Sequence, residues 1–555
     1  MWSYSMAYIK TQKIVRDSSG RIVSGSASII VTSYDPKVNY HAKKTVRERL
    51  GKVLFLSEDK KSGIFLSPTR GLVEYSSCSD EFQEVEHDDP RLDQSTQFPK
   101  PEIHTVFGDA YLLLEFMKKT GLLEIFRSVF TKKGLYERVV VHLLHDILAV
   151  GSRISCDDFL NCSFASYLFE DIPLAALHSD SSYYTMMGKD SLRVDFFRKF
   201  ADMMKSKSAG SNSYIEGSES FGKGCYVDST PLPNEIRRLM SNAYCSHGTE
   251  GSCSQTRMFL VLDDETDLPV WYGITPGNVL DLSTINDIAS DTFVSVGIEI
   301  DSMVLDAGYI TREFLSHYAV DSEKTFIGKS PAKRGFQFKT RYHEVKNLIP
   351  NAKYEIFRNS KAYFAYKKQD ELFGKKIFSY IFVDQMNALS WHTEFVEKHR
   401  EEFEQMSDKD KNWNRVKNGF FILLSNIDTS CEEILNRYIE RVNIESVFKD
   451  AKDYGNLLPL SKWDRTRVNG KIFSDMLATI VILLLKKKLI PNGFSLSDFA
   501  GKPRSLMCCR NSEGIVNVEA PNKQVKELFQ VLGIPIPGSL DLKEYSRKIY
   551  GPTFG

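Results

Sequence analysis

No apolar stretch in this 555-residue chain is long enough to span a bilayer. The strongest, Met476–Leu485 (MLATIVILLL), stops at Lys486, Lys487 and Lys488, which reads as a buried helix. No apolar run follows a basic start, so no secretory signal is expected. Nine cysteines occur without a CxxC pair, and Cys508 and Cys509 are adjacent, which does not suit a disulfide framework. Cys245, His247 and Cys253 lack a fourth ligand at zinc spacing. Reduced thiols and a cytoplasmic setting are the expectation. An excess of one charge sign is also missing: 72 basic residues balance 72 acidic ones. That argues against a uniformly basic binding module, although it hides local asymmetry.

The asymmetry is in two places. Asp80–Asp93 is rich in acid. Residues 324–346 carry Lys324, Lys329, Lys333, Arg334, Lys339, Arg341 and Lys346 against Glu344. A solvated loop and a phosphate-contacting surface both fit that basic run.

Along the chain, residues 1–75 read as a β-rich region, with strands at Ala27–Thr32, Lys52–Leu56 and Gly63–Leu66. An acidic linker is expected over 76–105. A helical region follows over 106–222, with helices at Tyr111–Phe130, Tyr136–Val150 and Ser191–Lys205. Gly/Ser-rich sequence at Ser206–Gly224 closes it. Short apolar strands then begin at Cys225, Met258, Val270, Ser302 and Thr325, with a helix from Asp281. Three strands, a helix and a strand suit an RNase H-like α/β core, its first part at 223–330. An insertion is expected over 331–417, holding a hairpin (Tyr363–Lys368 with Lys376–Val383) and a charged helix near Glu394–Met406. The core resumes over 418–490 with the strand Phe420–Leu424. A C-terminal region occupies 491–555, with a helix near Gln524–Leu532.

The segment Tyr438–Lys452 (YIERVNIESVFKDAK) carries the chemistry. As one helix it places Tyr438, Arg441, Glu445 and Lys452 within an arc of about 60°. Apolar Val442, Ile444, Val447 and Phe448 flank that stripe. A carboxylate among cations suits metal-bound phosphate. Two aspartates end apolar strands: Asp228 in CYVDST and Asp306 in SMVLDAGY. Strand ends of open α/β sheets are where catalytic groups project. Singly, each aspartate also fits a turn or helix cap, and Arg441 with Glu445 fits a surface i,i+4 pair. Together, three carboxylates could hold two divalent cations about 3.5–4 Å apart for in-line attack at phosphorus.

These residues resemble a DDE transposase of the IS4-like group. That group carries Tyr, two residues, Arg, three residues, Glu, six residues, Lys, and here those are Tyr438, Arg441, Glu445 and Lys452. Asp228-Ser229-Thr230 and Asp306-Ala307-Gly308-Tyr309 match its two acid motifs. Pro269, Pro276-Gly277-Asn278 and Asp281 lie between them as in such proteins. The resemblance spans about Cys225–Leu485 and is nearest the IS1634-like branch, with its long β-rich N-terminal region.

The resemblance implies a retroviral integrase-like core with a β-rich insertion before the catalytic Glu. It implies metal binding and catalysis by Asp228, Asp306 and Glu445, with Mg²⁺ as cofactor and Mn²⁺ as substitute. Tyr438, Arg441 and Lys452 would hold terminal phosphates. Trp391 and Trp413, in the insertion, are either core anchors or platforms for a flipped base. The implied partners are terminal inverted repeats and target DNA. A homodimer holding two ends is expected, in a prokaryotic cytoplasm at the nucleoid, and no membrane. A nuclease on the same fold and an inactive repeat-binding relic are the rival readings.

Overall fold

The computed structural model describes residues 5–16, 22–33, 43–86, 89, 91–92, 104–132, 134–149, 155–170, 172, 180–207, 213–245, 253–277, 285–318, 323–333, 335–345, 352–462 and 464–551. They divide into two compact units: Met1–Leu114, Lys132–Tyr183 and Ser497–Gly555 form the first, Glu115–Thr131 and Tyr184–Leu496 the second.

In the first unit, an antiparallel sheet of six strands runs in chain order from Ser5–Arg16 to Glu81–Glu84. Ile9, Ile29, Leu50, Val53, Phe65 and Tyr75 are buried together in it. The acidic segment expected to be a linker therefore begins as a strand. Phe82 of that strand packs against the cluster and lies 4.9 Å from the Tyr75 ring. The sheet also contains a strand, Ser5–Arg16, that its Lys- and Gln-broken alternation conceals. A second sheet pairs Met507–Arg510 with His104–Val106, so the C-terminal stretch shares a sheet with the start of the helical region. Tyr136 donates its hydroxyl to the Ile549 carbonyl at 2.7 Å, and Tyr111 lies near Phe529 and Tyr545. The single helix expected over Tyr111–Phe130 is two, Gly108–Thr120 and Leu122–Val129. Gly121 between them takes a left-handed φ of 86°, which breaks the hydrogen-bond ladder.

The second unit is organised by a ten-stranded sheet. Its path runs Pro269–Pro276, Cys253–Asp263, Gly224–Pro233, Ser302–Leu305, Thr325–Lys329, Phe420–Ser425, Lys375–Asp384, Lys361–Leu372 and Glu355–Arg358, with Ala243–Cys245 paired beside Cys253–Asp263. Gly224–Pro233, Ser302–Leu305 and Thr325–Lys329 are mutually parallel, and the other pairings are antiparallel. Numbered in chain order without the short side strand, the first five strands lie 3-2-1-4-5, consistent with the expected RNase H-like sheet. SMVL and FFILLS are buried along almost their whole length, as strands covered on both faces must be. The helix Asp190–Ser206 buries Phe196, Phe197, Phe200 and Met204, a three- and four-residue repeat.

The apolar run Met476–Leu485 lies inside a longer helix, Arg465–Leu489. That helix is long and apolar enough by composition to cross a membrane, but 89% of its apolar window is buried within the protein. The hairpin expected in the 331–417 segment is Lys361–Leu372 with Lys375–Asp384, and it continues the core sheet through Phe420–Ser425. The charged helix expected near Glu394–Met406 is two helices, Gln385–Lys398 and Arg400–Gln405, and a further helix, Asp408–Val416, follows them.

Part of the basic run is spent inside this fold. Arg341 is buried, forked onto Asp370 and bonded to Glu344 at 2.6 Å. Asp370 is itself buried and also accepts from Ser379. Removing one partner of a buried pair costs about 3–5 kcal/mol. Arg341→Met is expected to lose about that much stability, read as a lower urea midpoint; an unshifted midpoint would show that the pair does not hold the hairpin.

Candidate active site

Parallel register brings the two aspartates together. Leu305 stands opposite Val227, so the next residues along, Asp306 and Asp228, are lateral neighbours. Asp306 follows the end of its strand, whereas Asp228, expected to end its strand, lies mid-strand because Gly224–Pro233 stays paired with Cys253–Asp263 as far as Pro233. Asp306 is still extended, at φ −80° and ψ 170°, so the alternation of side chains carries through to it. Adjacent strands lie about 4.8 Å apart, so the two backbones run side by side at that spacing with both acid side chains on one face. Cys225, Tyr226 and Val227 are buried before Asp228, and Met303, Val304 and Leu305 before Asp306. The apolar runs thus anchor in the core, and each strand's first acid emerges half-buried directly after a buried triplet. The Ser229 amide donates to Asp228 at 2.7 Å and steadies it.

The Tyr438–Lys452 segment departs from one uniform helix. Cys431–Glu440 and Val442–Asp453 meet at Arg441, where the ladder tightens. The Arg441 amide donates to the Tyr438 carbonyl, and the Ile444 amide to the Arg441 carbonyl, three residues back in each case. Ser430 caps the first helix by accepting from the Glu433 amide. Ile444, Val447, Phe448 and Ala451 form the buried face of the second.

The polar stripe meets the strand ends residue by residue. Tyr438 donates to Asp306 at 3.4 Å. Arg441 donates to Asp228 at 2.7 Å and to Glu445 at 3.1 Å. Lys452 donates to the hydroxyl of Thr230 at 2.8 Å, two residues beyond Asp228. Burial, then Asp306, pushes the Tyr438 phenol well above its ordinary range, so it stays a donor. Burial pulls the Arg441 guanidinium down, but Tyr438, Asp228, Asp306 and Glu445 outweigh it and hold it raised. Side-chain exposure is 12% at Arg441 and 18% at Asp228, against 55% at Glu445. The Arg441–Asp228 bond is therefore the sheltered one, while the open i,i+4 pair with Glu445 is worth only about 0.3–0.5 kcal/mol.

All three acids thus face one arginine–tyrosine pair. Among the described residues, however, no three Asp, Glu, His or Cys side chains are grouped so as to share an ion. The guanidinium lies between Asp228 and Glu445, and Asp306 turns to Tyr438. A donor set made only of carboxylate oxygens, already balanced by a cation, suits a hard divalent ion. Cys245 and Cys253 pair across neighbouring strands, and His247 lies outside the described residues.

Tyr438 and Arg441 also wall a cavity of ≈ 290 Å³, with Lys361, Tyr363, Asp384 and Phe421 opposite. Neither tryptophan lines it. Trp413 packs on Tyr342 and Phe420, whereas Trp391 is 52% exposed on the helix Gln385–Lys398. Pro269 and Pro276 bound one strand, and Gly277 sits where a Cβ would meet the Gln255 carbonyl at 1.9 Å. Asn278 and Asp281 lie outside the described residues. Sequence reasoning missed Thr230 as the anchor of Lys452, and Arg257, which holds Ser229 at 2.7 Å from the neighbouring strand. Both partnerships cross strands or elements, and only the DST triplet hinted at them.

No curated protein matches the chain. Among solved structures, a cryo-electron microscopy structure of the piggyBac transposase synaptic complex with hairpin DNA compares at 9% identity and a TM-score of 0.33, over 80% of this chain and 85% of that one. A likeness that distant carries no weight for fold or function. Residues 219–474, which include Asp228, Asp306, Glu445 and the whole polar stripe, match the family model of the transposase DDE domain, and that match supports a DDE transposase.

Proposed function

We propose that this chain is the transposase of an insertion sequence of the IS4-like group, in its IS1634-like branch. It binds the terminal inverted repeats, cuts at the transposon ends and joins the freed 3′-hydroxyls to target DNA. The observation that carries this reading is the register of Asp228 beside Asp306, with Tyr438 reaching Asp306 and Arg441 joining Asp228 to Glu445.

Asp228, Asp306 and Glu445 hold the divalent ions, Mg²⁺ by preference, with Mn²⁺ able to replace it. Bound there, such ions activate the attacking oxygen and stabilise the leaving one. Arg441 and Lys452 complement phosphate by charge, and Tyr438 adds one hydrogen bond from a phenol that stays protonated. Trp391 is the better candidate for stacking on a base, since Trp413 already has aromatic partners. The hairpin segment at 331–417 is the insertion before the catalytic Glu. Residues 1–75 and the helices within 106–222 are candidates for end recognition. Two ends must be processed together, which favours a homodimer acting on the nucleoid in the cytoplasm.

Arg441 has two roles in this reading. Without divalent ions it neutralises Asp228 and Glu445; with DNA bound it turns to phosphate. Arg441→Gln should therefore bind Mn²⁺ more tightly in the absence of DNA, by about tenfold if the lost competitor was worth about 1.5 kcal/mol. Titration followed by electron paramagnetic resonance reads this directly, and a weaker affinity would contradict the exchange.

Asp228→Asn, Asp306→Asn and Glu445→Gln should each abolish Mg²⁺-dependent cleavage of end DNA and leave its binding largely intact. Full cleavage by any one removes that residue from the site. Lys452→Ala should lower the salt dependence of end binding by about 0.9 in the log–log slope. The nuclease reading shares every cutting residue. Precut ends separate the two: joined product supports the transposase, and hydrolysis alone the nuclease.

A further inference from the structure

The basic run at 324–346 resolves into residues with different fates. Lys324 precedes the Thr325–Lys329 strand and pairs with Glu299 at 2.9 Å. Arg341 is buried against Asp370. Lys329 closes the strand at its opposite end, and its side chain is exposed. Among the described residues it has no hydrogen bond, ion pair or ring contact.

Its place follows from register. Gly328 stands opposite Leu305 in a parallel pairing, so Lys329 is the lateral neighbour of Asp306, as Asp306 is of Asp228. Laterally paired residues point to the same face of a sheet. Asp228, Asp306 and Lys329 therefore form a row across three adjacent strands, at steps of about 4.8 Å. The row is held firmly at this end. Lys329 pairs with Leu423 on its other side, and Gly328 packs so closely on Ile310 that a Cβ there would come within 2.3 Å.

At the other end of the row, Lys452 reaches Thr230, beside Asp228. The acid pair is thus flanked by one ammonium on each side. Lys452 is held by a hydroxyl, while Lys329 projects toward solvent. A polyanion lying along this row would meet a cation, the two acids with their divalent ions, and a second cation.

We propose that Lys329 binds a backbone phosphate of the DNA on the Asp306 side of the site, opposite the flank held by Lys452. The inference rests on the transposase reading and extends it to a residue outside the Tyr-Arg-Glu-Lys stripe. The ligand is a phosphodiester oxygen, contacted without reading a base.

The test uses the full chain and a fluorescent duplex ending in the inverted repeat that flanks its coding region. Lys329→Gln should lower the salt slope of binding by about 0.9, equal to an about three- to fourfold smaller loss of affinity between 50 and 200 mM salt. Lys329→Arg should keep the wild-type slope, and Lys324→Gln, on the same strand at its far end, should change nothing. Single methylphosphonate linkages placed along the duplex locate the contact. One position that weakens wild-type binding should have no effect on Lys329→Gln. A wild-type slope and methylphosphonate profile in Lys329→Gln, with Lys452→Ala still lowered, would overturn this assignment alone. A wild-type chain that binds the repeat no better than unrelated duplex would overturn the reading beneath it.

Discussion

The pairing of Gly224–Pro233 with Ser302–Leu305 is the constraint from which the site follows. The two strands are parallel, which requires a crossover between them, and here the described residues of 234–301 supply three further strands and a helix. Parallel register sets Leu305 opposite Val227, so acids 78 positions apart in sequence become lateral neighbours. A one-residue slip would turn one aspartate to the opposite face. The buried triplets before each acid oppose that slip, because a shift by one residue would carry the acid into the buried stretch or a core residue out of it.

Two carboxylates fixed side by side repel, and the fold answers with the helix laid over them. Arg441 is the connection: it sits at the tightened turn between two helices, where its guanidinium reaches Asp228 on the sheet and Glu445 on its own helix. Lysine could not do this, since one ammonium lacks the planar fork that satisfies two acceptors at fixed angles. The turn itself is not strained, as Arg441 keeps φ −53° and ψ −25°. Charge balance and position are thereby coupled. Whatever takes the guanidinium away from Asp228, a phosphate for example, leaves the carboxylates in need of another cation.

Which polar residues come together was more legible in the sequence than the architecture. Asp228, Asp306 and Glu445 could be named because apolar triplets precede two of them and a helical period frames the third. The succession of core strands along the chain was also readable, since CYV, SMVL and FFILL are short, apolar and closed by polar residues. What escaped notice depends on distant partners. Glu81–Glu84 carries the acids of a linker, yet Phe82 packs it onto the sheet beside Tyr75. Gly121 looks like an ordinary helix residue until its left-handed φ divides the helix. Lys329 and Arg341 were indistinguishable as members of one basic run. Only the sheet separates them, by burying Arg341 against Asp370 and leaving Lys329 at a strand end.

The hairpin segment solves a problem that the site creates. Thr325–Lys329 is the last of the parallel strands, and alone it would expose an unpaired edge beside the acids. Phe420–Ser425 covers that edge in antiparallel register, and the long hairpin continues outward from it. The free edge moves to Glu355–Arg358, a strand of only four residues with Arg358 at its end, which is a poor template for further pairing. The same extension brings Lys361, Tyr363 and Phe421 up to the wall opposite Tyr438 and Arg441. Protecting the sheet and shaping the ground next to Tyr438 and Arg441 are thus achieved by one set of backbone hydrogen bonds. A deletion of the hairpin would therefore disturb the site as well as the edge, since both rest on the same strand, Phe420–Ser425.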